Sequence, residues 1–141
     1  MSAQANVNLA EALAERITTQ GPRTLLDRFD EFFTEDFCWA PITAHTVEGG
    51  GYRGREGFAR YLDDLETTFS DLNVEIPDIR AVGDDTVVVQ LQMRARGTES
   101  GVPLDIDLYW ALCFEGPKIA SGKTFMTRED AVAAAESGAH A

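Results

Sequence analysis

Thr86–Arg96 reads TVVVQLQMRAR, Gly97–Gly101 reads GTESG, and Val102–Glu115 reads VPLDIDLYWALCFE. This stretch decides the fold. Apolar and polar residues alternate through both longer runs, and Val, Ile, Leu and Tyr are common, as is typical of strands with one buried face. The two runs and the short turn between them therefore predict a long antiparallel hairpin.

The register of this hairpin follows from centring the pairing on its turn. It sets apolar residues opposite apolar ones and polar residues opposite charged ones. The predicted pairs are Met93 with Ile106, Leu91 with Leu108, Val89 with Trp110, Arg94 with Asp105 and Gln92 with Asp107. Because both faces are self-consistent, we expect other elements to cover the apolar face and the charged face to point outward.

The rest of the chain predicts helices before the hairpin and one strand and a short helix after it. Apolar residues recur at helical spacing in three segments: Asn8–Ile17, Pro22 to about Phe33, and Phe58–Phe69. Strands are predicted over Phe37–Ile42, over Asp71–Val82 with a bulge at Pro77, and over Lys118–Met126, followed by a helix capped by Thr127. This order predicts an α+β fold, in which helices cover the apolar face of a curved sheet.

Size and composition limit the classes of partner. The 141 residues suit one domain over residues 1–141, with an ordered core of about residues 8–136. A formal net charge of −12 argues against a nucleic acid or an anionic membrane surface as a partner. The sequence has no phosphate-binding glycine loop and no cluster of metal ligands, so no cofactor and no metal are predicted. Two distant cysteines and the lack of a signal-like apolar segment predict a cytoplasmic protein with reduced thiols.

Four short motifs carry a family resemblance: YRGREGF at 52–58, GVPLD at 101–105, GPKI at 116–119 and TREDA at 127–131. In this order the chain resembles the SnoaL-like branch of the nuclear transport factor 2-like superfamily over roughly residues 8–136. The resemblance implies a cone-shaped, curved antiparallel sheet packed against three helices from the first half of the chain, with a short C-terminal helix. The open end of the cone is a small-molecule pocket in many members.

If the apolar face of the hairpin lines such a cone, strand parity and the helical stripe give the residues of its wall. They are Trp39, Pro41, Phe58, Tyr61, Leu62, Leu91, Met93, Leu108, Trp110, Thr124 and Met126. Each of these could instead be an ordinary core residue. The two tryptophans suit a pocket wall well, since a large ring carries one polar N–H group.

The resemblance also implies where catalytic groups would lie. The general base of ketosteroid isomerases corresponds to Ala40, their buried proton-donating Asp to Trp110, and the acid of epoxide hydrolases to Thr124. The acid of polyketide cyclases belongs to the same last strand, and Lys118–Met126 contains no Asp or Glu. The remaining candidates for acid–base chemistry are His45 and Tyr61.

Arg94 and Asp105 resemble part of the Asp–Arg–Asp arrangement of limonene epoxide hydrolases. Strand parity puts them on the outer face, where a cross-strand ion pair is the simpler interpretation. We expect that outer face to form a homodimer interface, because Gln90, Gln92, Tyr109 and Phe125 suit a mixed polar and aromatic contact.

Three hypotheses about function stay open, because this fold does not determine function. The first is a SnoaL-like protein whose apolar pocket binds a small lipophilic molecule without the usual acid–base residues. The second is an isomerase, dehydratase, polyketide cyclase or epoxide hydrolase that uses His45, Tyr61 or the Arg94–Asp105 cluster. The third is a non-catalytic dimerisation module with a filled cone.

Overall fold

The computed structural model describes residues 3–41 and 52–137, which form five helices and one six-stranded sheet. The elements in chain order are α1 (Ala3–Gln20), α2 (Thr24–Asp27), α3 (Phe29–Phe32), β1 (Phe33–Ala40), β2 (Tyr52–Arg53), α4 (Gly54–Thr68), β3 (Phe69–Ala81), β4 (Thr86–Gly97), β5 (Pro103–Glu115), β6 (Lys118–Phe125) and α5 (Arg128–Ser137). The predicted α+β class, with helices packed on a curved sheet, is confirmed. None of the described helices is both long and apolar enough to cross a membrane.

The central hairpin has the predicted register. In β4 and β5, Met93 pairs with Ile106 and Arg94 pairs with Asp105, and the remaining predicted pairs are also present. The side chains of Arg94 and Asp105 are 62% and 73% exposed, while Met93 is buried. The charged face of the hairpin therefore points outward and the apolar face points toward the helices, as predicted.

The strand order is β2-β1-β6-β5-β4-β3, and one pairing differs from the antiparallel expectation. Strand β1 runs parallel to β6, with Cys38 beside Ser121 and Trp39 beside Gly122. The sheet is therefore mixed. Alternation of side chains along a strand shows which face is buried, but it does not show the direction of the neighbouring strand.

The boundary between the early helices and the first strand also differs from the prediction. Arg28 has φ −124° and ψ 32°, which divides the predicted second helix into α2 and α3. Phe33 is already extended, so β1 begins four residues before the predicted strand. Its register against β6 shifts between Phe33 and Cys38. This irregularity hides the strand alternation in the sequence.

Two further differences concern α1 and β3. The ordered core is predicted to begin at about residue 8, but α1 begins at Ala3, and the Asn6 amide donates a 2.8 Å hydrogen bond to the Asp84 carbonyl. Strand β3 has two irregularities against β4, and the one between Glu75 and Asp78 contains the predicted bulge at Pro77.

The two faces of the sheet are covered by different helices. Helices α1 and α4 pack on the inner face, where they contribute to the main apolar core. Helix α5 packs on the outer face against β4, β5 and β6 and buries Ala131 together with Val88 and Ala111. The Thr127 hydroxyl accepts a 3.1 Å hydrogen bond from the Asp130 backbone N–H, which is the cap predicted for this helix.

Candidate functional site

A cavity of about 220 Å³ lies between the inner face of the sheet and the helices. Nine of the eleven predicted wall residues line it: Trp39, Pro41, Phe58, Tyr61, Leu91, Met93, Leu108, Trp110 and Thr124. Further apolar side chains from α1, β3 and β5, such as Ile17, Val74 and Ile106, complete the lining. The hairpin thus supplies one wall of the cavity and the helices supply the opposite one.

The other two predicted wall residues lie elsewhere. Leu62 is 1% exposed and packs in the main core on the inner side of α4. Met126 is 49% exposed, because β6 ends at Phe125 and the chain then turns toward α5. Strand parity beyond the end of a strand is no guide to side-chain direction, which is why the prediction for Met126 was wrong.

Aromatic rings form a continuous strip along the cavity. The Trp39 ring meets the Trp110 ring nearly at a right angle, at 87° with centroids 5.3 Å apart. Tyr61 packs against Trp39 at 5.7 Å, and Tyr52 packs against Tyr61 at 5.5 Å. Edge-to-face pairs of this kind fix ring orientation better than aliphatic contacts do. The strip therefore holds the Trp39 indole in one position on the wall.

Two buried polar atoms on this wall have no hydrogen-bond partner. They are Nε1 of Trp39 and Oγ1 of Thr124, and within residues 3–41 and 52–137 no other buried side-chain nitrogen or oxygen shares this property. Trp39 is 5% exposed and Thr124 is 4% exposed. Buried polar groups are normally paired, because leaving one unpaired costs about 1–3 kcal/mol. The cavity wall therefore carries two buried polar atoms whose hydrogen bonds no described protein group completes.

Tyr61 remains protonated over the physiological range. Burial raises its pKa to about 12, and the nearby Trp39 indole N–H offsets part of that rise. This N–H group lies close to the phenol but does not reach hydrogen-bond geometry with it. A phenol with so high a pKa donates hydrogen bonds and does not serve as a general base near neutral pH.

A polar contact that the sequence analysis missed lies at the rim of the cavity. The Tyr52 hydroxyl donates a 2.7 Å hydrogen bond to Oδ2 of Asp64, and both residues belong to the lining. This bond, together with partial burial, raises the pKa of Tyr52. Asp64 follows Tyr61 by three positions on α4, so helical spacing was the signal that could have identified it.

The positions that correspond to catalytic residues of the family fall on both sides of the sheet. Trp110 and Thr124 line the cavity, whereas Ala40 does not, although its neighbours Trp39 and Pro41 do. His45 lies outside the described residues. A carboxyl group is present in none of these five residues: Trp39, Ala40, Pro41, Trp110 and Thr124.

The Arg94–Asp105 cluster is remote from the cavity. Nε of Arg94 lies 3.6 Å from Oδ2 of Asp105, and both side chains are exposed on the outer face. Water screens such a pair strongly.

In the part of the chain that the structure describes, no group of three or more His, Cys, Asp or Glu residues could hold a metal ion.

The sequence matches the family model of the SnoaL-like domain over residues 10–122. The chain belongs to the SnoaL-like domain family. Among the curated proteins, none matches it.

Solved structures with the same fold cover nearly the whole chain. A protein from Jannaschia sp. CCS1 assigned as a SnoaL-like polyketide cyclase has a TM-score of 0.68 and 19% identity, over 94% of this chain and 91% of that one. An NTF2-like protein of unknown function from Burkholderia pseudomallei K96243 has a TM-score of 0.71 and 13% identity, with 92% and 95% covered. TerC, co-crystallised with polyporic acid, has a TM-score of 0.70 and 14% identity, with 89% and 94% covered. Identities this low indicate a shared fold and leave the function to be argued from the site.

Proposed function

We propose that this protein binds a small lipophilic molecule in the cavity between the sheet and the helices. The observation that carries the proposal is an apolar cavity of about 220 Å³ with an aromatic strip along one wall. An apolar cavity of about 150 Å³ already accepts benzene, whereas drug-sized ligands need roughly 300 Å³ or more. A ligand of one or two rings therefore suits the available space.

The chemistry of the lining supports binding rather than catalysis at the positions that relatives use. Trp110 and Thr124 stand where carboxylates would be needed, and Tyr61 holds its proton too tightly to act as a base. TerC, a protein of this fold, was co-crystallised with polyporic acid, which supports the proposal of a small-molecule site.

Intrinsic fluorescence offers a direct test, because the chain has two tryptophans and both line the cavity. A lipophilic one-ring or two-ring probe should change their emission and bind with saturation. The double variant Leu91→Phe/Leu108→Phe, at two paired positions of the hairpin wall, should lose the response because its rings occupy the cavity.

Val102→Phe is the matched control, since Val102 is 61% exposed and lies outside the lining. It should respond to the probe as the unmodified protein does. Mass spectrometry under non-denaturing conditions should also detect a co-purifying small molecule. Unchanged emission with every probe, together with no bound molecule, would refute the proposal.

A second candidate function is acid–base catalysis at the rim, and the Tyr52–Asp64 contact favours it. Asp64 is the carboxylate that the described lining contains, and a bound ligand could reach it from inside the cavity. The reaction class would be isomerisation, dehydration, cyclisation or epoxide opening. Exchange of the α-protons of a bound ketone in D₂O tests for such a base.

Under the catalytic hypothesis Asp64→Asn should abolish that exchange, and His45→Ala and Tyr61→Phe should be compared with it. Exchange that is no faster than in buffer alone would exclude this candidate.

A dimerisation module without a ligand, the third hypothesis, would show self-association and no probe binding. Because the protein has a net charge of −12, we further propose that neither a nucleic acid nor a membrane is its partner. We also propose that the protein acts as one cytoplasmic domain.

A further inference from the structure

Trp39 and Thr124 each have a buried side-chain atom without a hydrogen-bond partner, and both residues line the largely apolar cavity. The two atoms are Nε1 of Trp39 and Oγ1 of Thr124. Folding has removed both groups from bulk water, so an occupant with a complementary atom would recover lost hydrogen bonds.

The sheet brings these two groups to the same part of the wall. Trp39 on β1 pairs with Gly122 on β6, and Thr124 follows Gly122 by two residues on the same face. Thr124 in turn pairs with Trp110 on β5, whose ring packs against the ring of Trp39. The two unpartnered groups therefore belong to one cluster of neighbouring side chains.

The donor and acceptor properties of the cluster select the chemistry of the occupant. An indole N–H can only donate, and a threonine hydroxyl can donate or accept. One carbonyl oxygen has two lone pairs and can accept one hydrogen bond from each group. The described lining contains no Lys or Arg to neutralise an anion, and Asp64 at the rim adds a negative charge. A neutral acceptor is therefore favoured over a carboxylate or a phosphate.

We propose that the ligand carries a neutral carbonyl oxygen that accepts hydrogen bonds from Trp39 Nε1–H and from the Thr124 hydroxyl. This inference rests on the proposed function, since it assumes that the cavity holds a lipophilic molecule. The hydrocarbon part of the ligand packs against the hairpin side chains Leu91, Met93 and Leu108. The ligand class is thus a small neutral ketone, quinone or ester.

The test compares two probes of the same shape, acetophenone and α-methylstyrene, in which a carbonyl oxygen is exchanged for a methylene group. Binding is followed by ¹⁵N-resolved NMR, in which the two tryptophans give two indole N–H signals and Trp39→Phe identifies that of Trp39. Acetophenone should move the Trp39 indole proton downfield, as hydrogen bonding to a carbonyl does. α-Methylstyrene should not produce this downfield shift.

The ratio of the two affinities separates hydrogen bonding from apolar contact. Thr124→Val keeps the shape of the side chain and removes the hydroxyl. It should lower the affinity for acetophenone relative to α-methylstyrene by about 10-fold, the effect of losing one hydrogen bond. Trp39→Phe should lower the same ratio, because it removes the indole N–H. Thr98→Val, at an exposed turn position, is the control for the loss of a threonine hydroxyl.

The outcomes distinguish this inference from the proposed function. If both probes bind but the ratio is the same in all variants, the two groups serve a bound water and the inference is overturned, while the cavity remains a binding site. If neither probe binds, no other lipophilic probe changes the tryptophan emission and no co-purifying molecule is found, both the inference and the proposed function fail. A downfield shift of the Trp39 signal together with a lower ratio in Thr124→Val supports the carbonyl site.

Discussion

The Trp39 ring occupies the space that a side chain at Gly122 would need. A Cβ atom built at Gly122 would lie 2.7 Å from Cζ3 and 2.8 Å from Cε3 of Trp39, which is closer than real contacts allow. The two residues are neighbours in the parallel pair of β1 and β6. Glycine at this position lets the indole lie flat against β6, and this placement gives the cavity its aromatic wall.

Gly122→Ala should therefore be destabilising. The added methyl group meets the Trp39 ring and also lies 3.1 Å from Cδ2 of Leu112, so the core is overpacked. We expect the free energy of unfolding to fall by about 1–3 kcal/mol in urea denaturation. The same change made in a Trp39→Phe background should cost less, because the smaller ring can move away. Equal costs in the two backgrounds would show that the ring is not what requires glycine.

Thr124→Val should stabilise the protein without ligand. Residue Thr124 is 4% exposed and its hydroxyl has no hydrogen-bond partner. The hydroxyl therefore contributes a desolvation cost and no hydrogen bond. We expect the free energy of unfolding to rise by about 1 kcal/mol, measured by urea or thermal denaturation. Lower stability of Thr124→Val would indicate that the hydroxyl has a structural partner and is not reserved for an occupant.

Tyr61 should make the protein sensitive to alkaline pH. Its pKa is about 12 in the folded protein, compared with an ordinary value of 10.0. Since the folded state holds this proton more tightly, the stabilisation is complete below pH 10.0 and is lost as the pH rises toward 12. A difference of two pKa units corresponds to about 3 kcal/mol. Burial also raises the pKa of the Cys113 thiol, which adds to the same loss at alkaline pH.

Tyr61→Phe should lose less stability than the unmodified protein between about pH 10 and about pH 12. Urea denaturation across this range measures the slope of stability against pH. Identical slopes in the two proteins would contradict the buried environment assigned to Tyr61.

Arg128 should anchor α5 to the outer face of the sheet. Its guanidinium donates to Oδ2 of Asp78 at 3.2 Å and to Oε1 of Gln90 at 2.8 Å, and it lies 5.3 Å from the centre of the Tyr109 ring. Arg128→Gln should cost about 1–2 kcal/mol and speed hydrogen exchange in α5. Arg80→Gln is the control, because Arg80 pairs with the same carboxylate but is 66% exposed. Its cost should stay below about 0.5 kcal/mol.

The homodimer through the outer face stays a prediction, and α5 limits the area that it can use. Gln90, Tyr109 and Phe125 lie in one row across three strands. Arg128 already covers Tyr109, and Nζ of Lys123 lies 5.6 Å from the centre of the Phe125 ring. We expect a dimer in sedimentation velocity that Phe125→Arg converts to monomer. Val102→Arg, at an exposed turn, should leave it intact, and a monomeric unmodified protein would contradict the prediction.

The sequence predicted the hairpin well because its information is local. Alternation along β4 and β5 and the short turn fix both the register and the buried face, as the pairs Met93 with Ile106 and Arg94 with Asp105 show. The helical stripe from Phe58 likewise predicted α4 and two of the residues that line the cavity, Phe58 and Tyr61. These patterns need no knowledge of distant parts of the chain.

The sequence did not predict features that depend on contacts between distant segments. The parallel pairing of β1 with β6 leaves no mark on the alternation of either strand, and the early start of β1 at Phe33 is hidden by its irregular register. Asp64 reaches the rim because Tyr52, on a separate two-residue strand, bonds to it. The missing partners of Trp39 and Thr124 are visible only once all their neighbours are in place.

The parallel alignment of β1 with β6 makes the order of synthesis matter. Trp39 leaves the ribosome early, but the glycine against which its ring lies follows roughly 80 residues later. Until β6 is made, the aromatic side chains of β1 remain without their sheet partner, and a chain cut short before Lys118 cannot form the cavity. A ligand of the proposed site would therefore bind only a chain that includes β6, and it would stabilise that state over shorter ones.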